Sequence, residues 1–334
     1  MKNGYAGKIL WVDLSSEKIH IETSEHYQGW IGGRGLAVHL LVQLPELKSE
    51  KPEEQPVVVA AGPAVGTGIP LATRTSVSAR NLISGGISYS NVGGNFGATM
   101  KSAGFDAVVI RGFSQRPVYL LFKEGQASIK PANELWGLQV SDVRDMLDKI
   151  YGNGQTSFIG IGQGGENLVP VSCLIVDRAH AAGWGGSGWI FGAKLLKAIV
   201  AVGKSSVEVA HPRLLQKKVK ELEWRLNSSE AMAGLIRGGH MEWLRLVAIL
   251  DLYRPQSRIF ETNICPQKNR LLCARASSGN GKLDALGAKG VIFNVYMFTL
   301  WRRMNLVIWK LKECMQILCA VLGPIWECMT RQLF

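Results

Sequence analysis

Ser90-Asn91-Val92-Gly93-Gly94-Asn95-Phe96-Gly97 runs on through Ala98-Thr99-Met100-Lys101-Ser102-Ala103 to Ala107-Val108-Val109-Ile110-Arg111. This stretch decides the fold class, because it sets a glycine-rich turn, an expected helix from Phe96 to Ala103 and an expected strand at Ala107–Arg111 in direct succession. Glycine admits positive φ and close backbone approach, and a helix that opens behind such a turn presents unpaired N–H groups to an anion. Three more turns are of the same kind: Gly32-Gly33-Arg34-Gly35, Gly66-Thr67-Gly68 and Gly183-Trp184-Gly185-Gly186-Ser187-Gly188. A tight turn in a strand-rich fold explains any one of them equally well. Four together, two with helices behind them and a basic residue nearby, point to a polyanionic ligand.

Outward from this stretch, strands and helices alternate. Lys8–Leu14 and Lys18–Glu22 read as a hairpin joined by Ser15-Ser16-Glu17. Leu36 to Leu44 is apolar at helical spacing, and Val57–Ala61, ended by Gly62-Pro63, is a continuous apolar run of the kind a buried strand needs. Further strands are expected at Thr75–Ala79, Val118–Lys123, Ser157–Ile161, Val169–Val176 and Ala198–Val202. Helices are expected from Ser187 to Leu196 and over a segment with Ser141 as N-cap, Val143, Met146, Leu147 and Ile150 on one face, and Gly152 as the stop. The apolar spacing from Pro212 to Asn227 predicts a helix that opens a second, helical domain. Many strands with inserted helices indicate an α+β fold.

The familiar nucleotide motifs fail on inspection. Gly160-Ile161-Gly162-Gln163-Gly164-Gly165 satisfies G-x-G-x-x-G, yet Pro170 follows too soon for the helix a dinucleotide site requires. Gly203-Lys204-Ser205 ends like a P-loop, but Ala198 stands where the first glycine belongs. Trp189 occupies the last glycine position of a G-x-S-x-G elbow around Ser187. No His-x-x-x-His or Cys-x-x-Cys spacing marks a zinc or iron–sulfur site.

Of 334 residues, 47% are hydrophobic and 19% charged, which excludes disorder throughout. No signal-peptide-like run and no membrane-length apolar stretch is present, so a cytoplasmic protein without membrane contact is expected. The net charge of +12 is uneven: residues 246–334 hold 12 Lys/Arg against 5 Asp/Glu, and only five of the 38 glycines. A seam therefore lies near residue 245. The tail reads either as a basic amphipathic surface segment or as a run in an altered frame left by truncation. Arg302, Arg303, Lys310 and Lys312 interrupt apolar residues without forming one face, which favours the second reading. The moderate charge of the main domain argues against a nucleic-acid partner.

Taken in order, these segments resemble the N-terminal region of the aldehyde ferredoxin oxidoreductase family, the tungsten or molybdenum bis-pterin enzymes of anaerobes. The resemblance runs from Gly7 to about Gly203. Its carriers are Ile31–Ala37, Ala61-Gly62-Pro63 with Gly66-Thr67-Gly68, Ser90–Gly97, Lys101–Ala107, Leu135-Trp136-Gly137, Gly164–Val169 and Gly192–Ile199. It implies a pterin-binding base domain over residues 1–210, with two sheets in a pseudo-two-fold arrangement. Residues 211–245 would begin an incomplete helical domain, and 246–334 form the aberrant tail.

By similarity, Arg74 would pair with pterin phosphate, and Gly93 and Gly94 would let the cofactor approach the backbone. Asn91 and the Ala181 carbonyl would reach the magnesium that bridges the phosphates. His180, Ala181, Ala182 and Gly183 complete the cofactor-binding set. His180 and Trp184 stand where relatives carry arginines, which weakens phosphate binding. The resemblance further implies oxidation of a small aldehyde to a carboxylic acid with electrons passed to ferredoxin, and it leaves a homodimer possible. The family's four-iron cluster ligands, a Cys-x-x-Cys-x-x-x-Cys set plus a distant cysteine, are missing here. A non-catalytic pterin-binding remnant is thus the alternative to a truncated enzyme.

Overall fold

The alternation in Lys8–Asp13 (β1) and Lys18–Thr23 (β2) makes an antiparallel hairpin, with Ile9 and Leu10 buried on opposite faces of β1. A computed structural model describes residues 3–229 apart from Asn153, together with 232, 233 and 236. The hairpin is followed by α1 (Gly33–Val42), β3 (Val57–Ala61), β4 (Thr75–Arg80), β5 (Ile87–Val92), α2 (Phe96–Ser102) and β6 (Ala107–Arg111). These strands form one six-stranded sheet in the order β2-β1-β6-β3-β4-β5, in which β1 and β6 are parallel and every other pair is antiparallel.

The chain then repeats itself. Val118–Lys123 (β7) and Gln126–Pro131 (β8) make a second hairpin, followed by α3 (Val140–Tyr151), β9 (Thr156–Gly160), a single turn α4 (Gln163–Glu166), β10 (Leu174–Val176), β11 (His180–Ala182), α5 (Ser187–Ala193) and β12 (Leu196–Val202). The second sheet has the order β8-β7-β12-β9-β10-β11, again with only its first and last strands in sequence, β7 and β12, parallel. Element for element, apart from α4, the two halves share one topology. This is the pseudo-two-fold arrangement, and the fold is α+β with two mixed sheets.

Helix α1 covers one face of the first sheet through Leu36, Ala37, Leu40 and Leu41, and α3 covers one face of the second through Val143 and Leu147. The remaining faces look toward each other across the largest core, which holds Phe96 and Met100 of α2 and Ile190 and Phe191 of α5. Phe105 and Phe122, with ring centroids 5.3 Å apart, join the halves there. Strands covered on both sides carry continuous apolar runs, as β3, Ala107–Ile110 of β6 and Ala198–Val202 of β12 do.

Several expectations are corrected. Only Leu174–Val176 of the expected 169–176 strand pairs, because Pro170 lacks an N–H and the Ser172 amide turns back to the Val169 carbonyl at 2.9 Å. Ser141 is not the N-cap of α3: the helix starts at Val140 after an extended Gln139, and no side chain caps it. Ile150 is 57% exposed, off the buried face. Helix α5 stops at Ala193, three residues short of the expected end, and Gly160–Gly165 does lead into one helical turn before the proline. Helix α6 (Pro212–Asn227) forms as the spacing predicts, and its Leu215 packs on Ile69, Val209 and Val219. Residues 230, 231, 234, 235 and 237–245 and the whole 246–334 tail lie outside the described residues.

Candidate functional site

Strands β5 and β11 are the edges of their sheets, and these edges meet. A methyl group placed on Gly185 would strike the Ser88 hydroxyl, the Trp184 amide donates to Ser90 Oγ at 3.3 Å, and a methyl on Gly93 would lie 3.5 Å from His180 Nδ1. Rising numbers on one segment thus face falling numbers on the other. The two run antiparallel, which sets Ala181–Gly183 across from the Asn91–Gly93 end of β5. Glycine is required at 185 on two grounds: φ is 86°, and the Ser88 side chain fills the space of a Cβ.

Arg74 precedes β4 and reaches the same corner. Its Nη1 lies 3.5 Å from the Asn91 carbonyl and would lie 3.7 Å from a methyl on Gly93. The His180 ring stands over both glycines, with Cδ2 2.9 Å from the place a Gly94 Cβ would take. Arg74, Asn91, His180, Ala181 and Gly183 are exposed, whereas Ala182 is buried. All eight sequence-predicted residues therefore converge on one seam between the two sheets.

The seam also holds groups that sequence reasoning missed. Arg34, in the first turn of α1, lies 4.4 Å from the centroid of the Tyr89 ring on β5, a cation–π contact that adds a second guanidinium to this sheet edge. Away from the seam itself, the hydroxyls of Thr75, Ser76, Ser78, Ser172 and Ser187 are buried without a hydrogen-bond partner, that of Thr75 facing Gly97 of α2. Thr75 and Ser76 follow Arg74 directly, and Ser187 ends the glycine turn. Buried hydroxyls rarely go unpaired. For Thr75, Ser76 and Ser187 the only sequence signal is position beside the glycine turns, and the elbow pattern directed attention to Ser187 for a different reason.

Away from the seam, two buried lysines tie loop carbonyls together. Lys101 donates to the carbonyls of Gly4, Gly62 and Pro63 at 2.6, 3.1 and 3.2 Å, and its pKa is pushed down to about 8 by burial, only partly offset by Asp106. Lys194 donates to Glu53 and Gly112 carbonyls at 2.7 and 2.6 Å, and burial pushes it down to about 7 against the pull of nearby carboxylates.

These features fit a phosphate-bearing cofactor. Among the described residues, no acceptor takes the amide N–H groups of Gly93 and Gly94, a guanidinium flanks them, and the backbone there carries no Cβ. Carbonyl and carboxamide oxygens of Asn91 and Ala181 are hard donors of the type magnesium accepts. The described residues contain no cluster of three or more His, Cys, Asp or Glu able to hold a metal, and no helix among them is long and apolar enough to cross a membrane.

Known proteins resemble the chain in sequence and in fold. The chain is 34% identical over 268 residues to the tungsten-containing aldehyde ferredoxin oxidoreductase of Pyrococcus furiosus, covering 79% of this chain and 44% of that one. It is 34% identical to the enzyme of the same name from Thermococcus kodakarensis, covering 78% and 44%. The chain thus spans less than half the length of these curated relatives. Among solved structures it resembles the active site complex BamBC of benzoyl coenzyme A reductase in complex with 1,5 dienoyl-CoA, with a TM-score of 0.65 and 27% identity over 69% of this chain and 36% of that one. Residues 9–203, which hold both sheets apart from one residue of β1, match the family described as "Aldehyde ferredoxin oxidoreductase, N-terminal domain", and the chain belongs to that family.

Proposed function

We propose that the seam between β5 and β11 is the phosphate cradle of a tungsten or molybdenum bis-pterin cofactor, in an oxidoreductase that converts a small aldehyde to a carboxylic acid and passes the electrons to ferredoxin. The observation that carries this reading is the convergence of Arg74, the free Gly93 and Gly94 amides and the Asn91 end of β5 on one corner. Bound there, the cofactor would supply the two-electron chemistry.

The chain's own residues would bind and orient. Arg74 offers a planar, permanently charged donor for phosphate oxygens, and the glycine amides add neutral donors from a rigid turn. Asn91 and the Ala181 carbonyl supply oxygen ligands for a magnesium ion between phosphates. Ala182 and Gly183 keep the opposite wall low. His180 and Trp184 supply no permanent charge, so the anchoring rests mainly on Arg74. The relatives act on chemically different substrates, an aldehyde in one case and a coenzyme A thioester in the other, while sharing this domain. That division supports a holding role here, with substrate choice made elsewhere.

Arg74→Ala removes a charge-assisted bond worth about 1.5–3 kcal/mol, or about ten- to a hundredfold in affinity. Asn91→Ala acts through the ion, so its effect shrinks when magnesium is withheld. Pterin and metal content of both variants and the parent, expressed in an anaerobic host that makes the cofactor, tests this. A parent rich in both, with Arg74→Ala depleted, is expected; equal content in all three overturns the assignment.

A further inference from the structure

The position of the His180 ring has a consequence of its own. Cδ2 and Cγ lie 2.9 and 3.5 Å from the Cβ site of Gly94, and Nδ1 and Cε1 lie 3.5 and 3.9 Å from that of Gly93. The imidazole therefore stands beside Gly93 together with Arg74 Nη1, and shares the space above Gly94 with the buried Val176, whose Cγ1 lies 2.7 Å from that Cβ site. We propose that the His180 side chain is a movable cover at this spot, and that an anion comes to rest against the Gly93 backbone only when the ring swings aside. The proposal rests on the cradle reading above and adds to it a residue that sets how readily the cradle admits its ligand.

The backbone that carries His180 is fixed, so the motion belongs to the side chain. His180 pairs with Val176 across the β10–β11 hairpin. Asp177 in the connecting turn accepts hydrogen bonds from Arg144 Nη1 at 2.7 Å, Ser157 Oγ at 2.9 Å and the Phe158 amide at 3.2 Å. The ring itself is held by nothing comparable: among the described residues neither of its nitrogens makes a hydrogen bond, and the residue is exposed. An exposed side chain without hydrogen bonds exchanges between staggered rotamers at little cost, on a picosecond-to-nanosecond scale. Moving it clears the space beside Gly93 and the adjoining Arg74 guanidinium, while Val176 stays against Gly94. A fixed arginine at this position would be a ligand for the anion, whereas the imidazole, as placed here, competes with the anion for space.

The two roles give opposite signs on mutation. If the uncovered state is populated roughly a tenth to a third of the time, removing the ring lowers the apparent dissociation constant about three- to tenfold. The parent, His180→Ala, His180→Phe and Arg74→Ala are titrated with inorganic phosphate, with the Gly93 and Gly94 backbone amide resonances as readout. His180→Ala is expected to half-saturate at about three- to tenfold lower phosphate than the parent, and His180→Phe, which keeps a ring of similar reach, at the parental concentration or above. His180→Ala binding as the parent does, or more weakly, overturns the cover while a weakened Arg74→Ala leaves the cradle standing. Amides that move with phosphate in none of the four proteins defeat the cradle reading, and the cover falls with it.

Discussion

At the start of their last strands, the two halves of the molecule hold opposite charges in the same place. Asp106 precedes Ala107 and its carbonyl accepts the Ala61 amide at 2.9 Å; Lys197 precedes Ala198 and its carbonyl accepts the Ile161 amide at 3.0 Å. These backbone bonds make the two positions equivalent, and the side chains are 1% and 0% exposed. Asp106 gathers the amides of Ala6 and Gly7, both at 2.8 Å, and the Ser24 hydroxyl at 2.7 Å. Lys197 donates to the Leu138 carbonyl at 3.0 Å and pairs with Glu166. The position demands a buried group that ties a neighbouring loop to the sheet, and either sign serves when the loop offers the complementary partner.

A second contrast lies along the helices between the sheets. Gly104 N bonds the Lys101 carbonyl and Leu195 N bonds the Gly192 carbonyl, which aligns Lys101 with Gly192. The extra turn α4 exists only in the second half, and a Cβ on Gly192 would run into the Gly165 carbonyl of that turn. In the first half the corresponding turn, closed by the Val65 amide on the Gly62 carbonyl at 3.1 Å, turns the Gly62 and Pro63 carbonyls to the Lys101 ammonium instead.

The largest effect that would break the comparison comes from removing one of the buried charges. Lys197→Met strands Glu166, which is nearly as buried, and is expected to destabilise by about 3–5 kcal/mol. Pairing it with Glu166→Gln should recover a large part of that loss. Urea unfolding measures both, and a double variant no better than the single would mean that the pair is not the reason for the lysine. Gly192→Ala comes next, at about 1–3 kcal/mol, because the added methyl meets backbone that cannot yield. The matching change, Lys101→Ala, should instead leave the Gly4, Gly62 and Pro63 carbonyls short of a donor and fray the N-terminal segment, visible as faster amide exchange there.

The two carbonyl-bound lysines sharpen the comparison through pH. Lys194 and Lys101 titrate near 7 and 8 in the folded chain and near 10.5 when unfolded. Between those values the unfolded chain binds more protons, so stability rises with pH, from about 7 for Lys194 and from about 8 for Lys101. Tyr5, raised to about 12 chiefly by burial, reverses the sign above pH 10. A maximum near pH 10 is expected in unfolding free energy, and Lys194→Met should flatten the onset near pH 7 while leaving the later rise. The smallest effect belongs to Arg74: being exposed, it should change stability by less than about 0.5 kcal/mol when replaced by alanine, so that a loss of ligand there is a loss of binding alone.

The buried strands were legible in sequence because both their faces are covered: Val57–Ala61, Ala107–Arg111 and Val118–Lys123 stand as the apolar runs indicate. Three edge strands were not. Ile87–Val92, Gln126–Pro131 and His180–Ala182 are polar or short, and their pairing comes from the sheet beside them. The glycine turns marked the site, since close approach and positive φ leave a compositional trace. That Gly185 packs on Ser88, nearly a hundred residues away, left none. Nor did the repeat, because the halves share hydrogen-bond topology while differing in charge, helix length and α4.

In each half the first strand lies beside the last and parallel to it, β1 with β6 and β7 with β12, so each half closes on its own first strand, with Arg111 beside Asp13 and Val202 beside Lys123. The chain crosses from the first sheet to the second over Gly112–Pro117. Cut there, the two pieces would keep every strand pairing within their own sheets, yet neither could cover the inner face that holds Phe105 or Phe122. A polypeptide with only one half's topology would have to associate with another to bury that face. Co-expressed halves should therefore reassemble as a non-covalent pair, and the β5–β11 seam would then be a subunit boundary, with Arg74 on one subunit and His180 on the other.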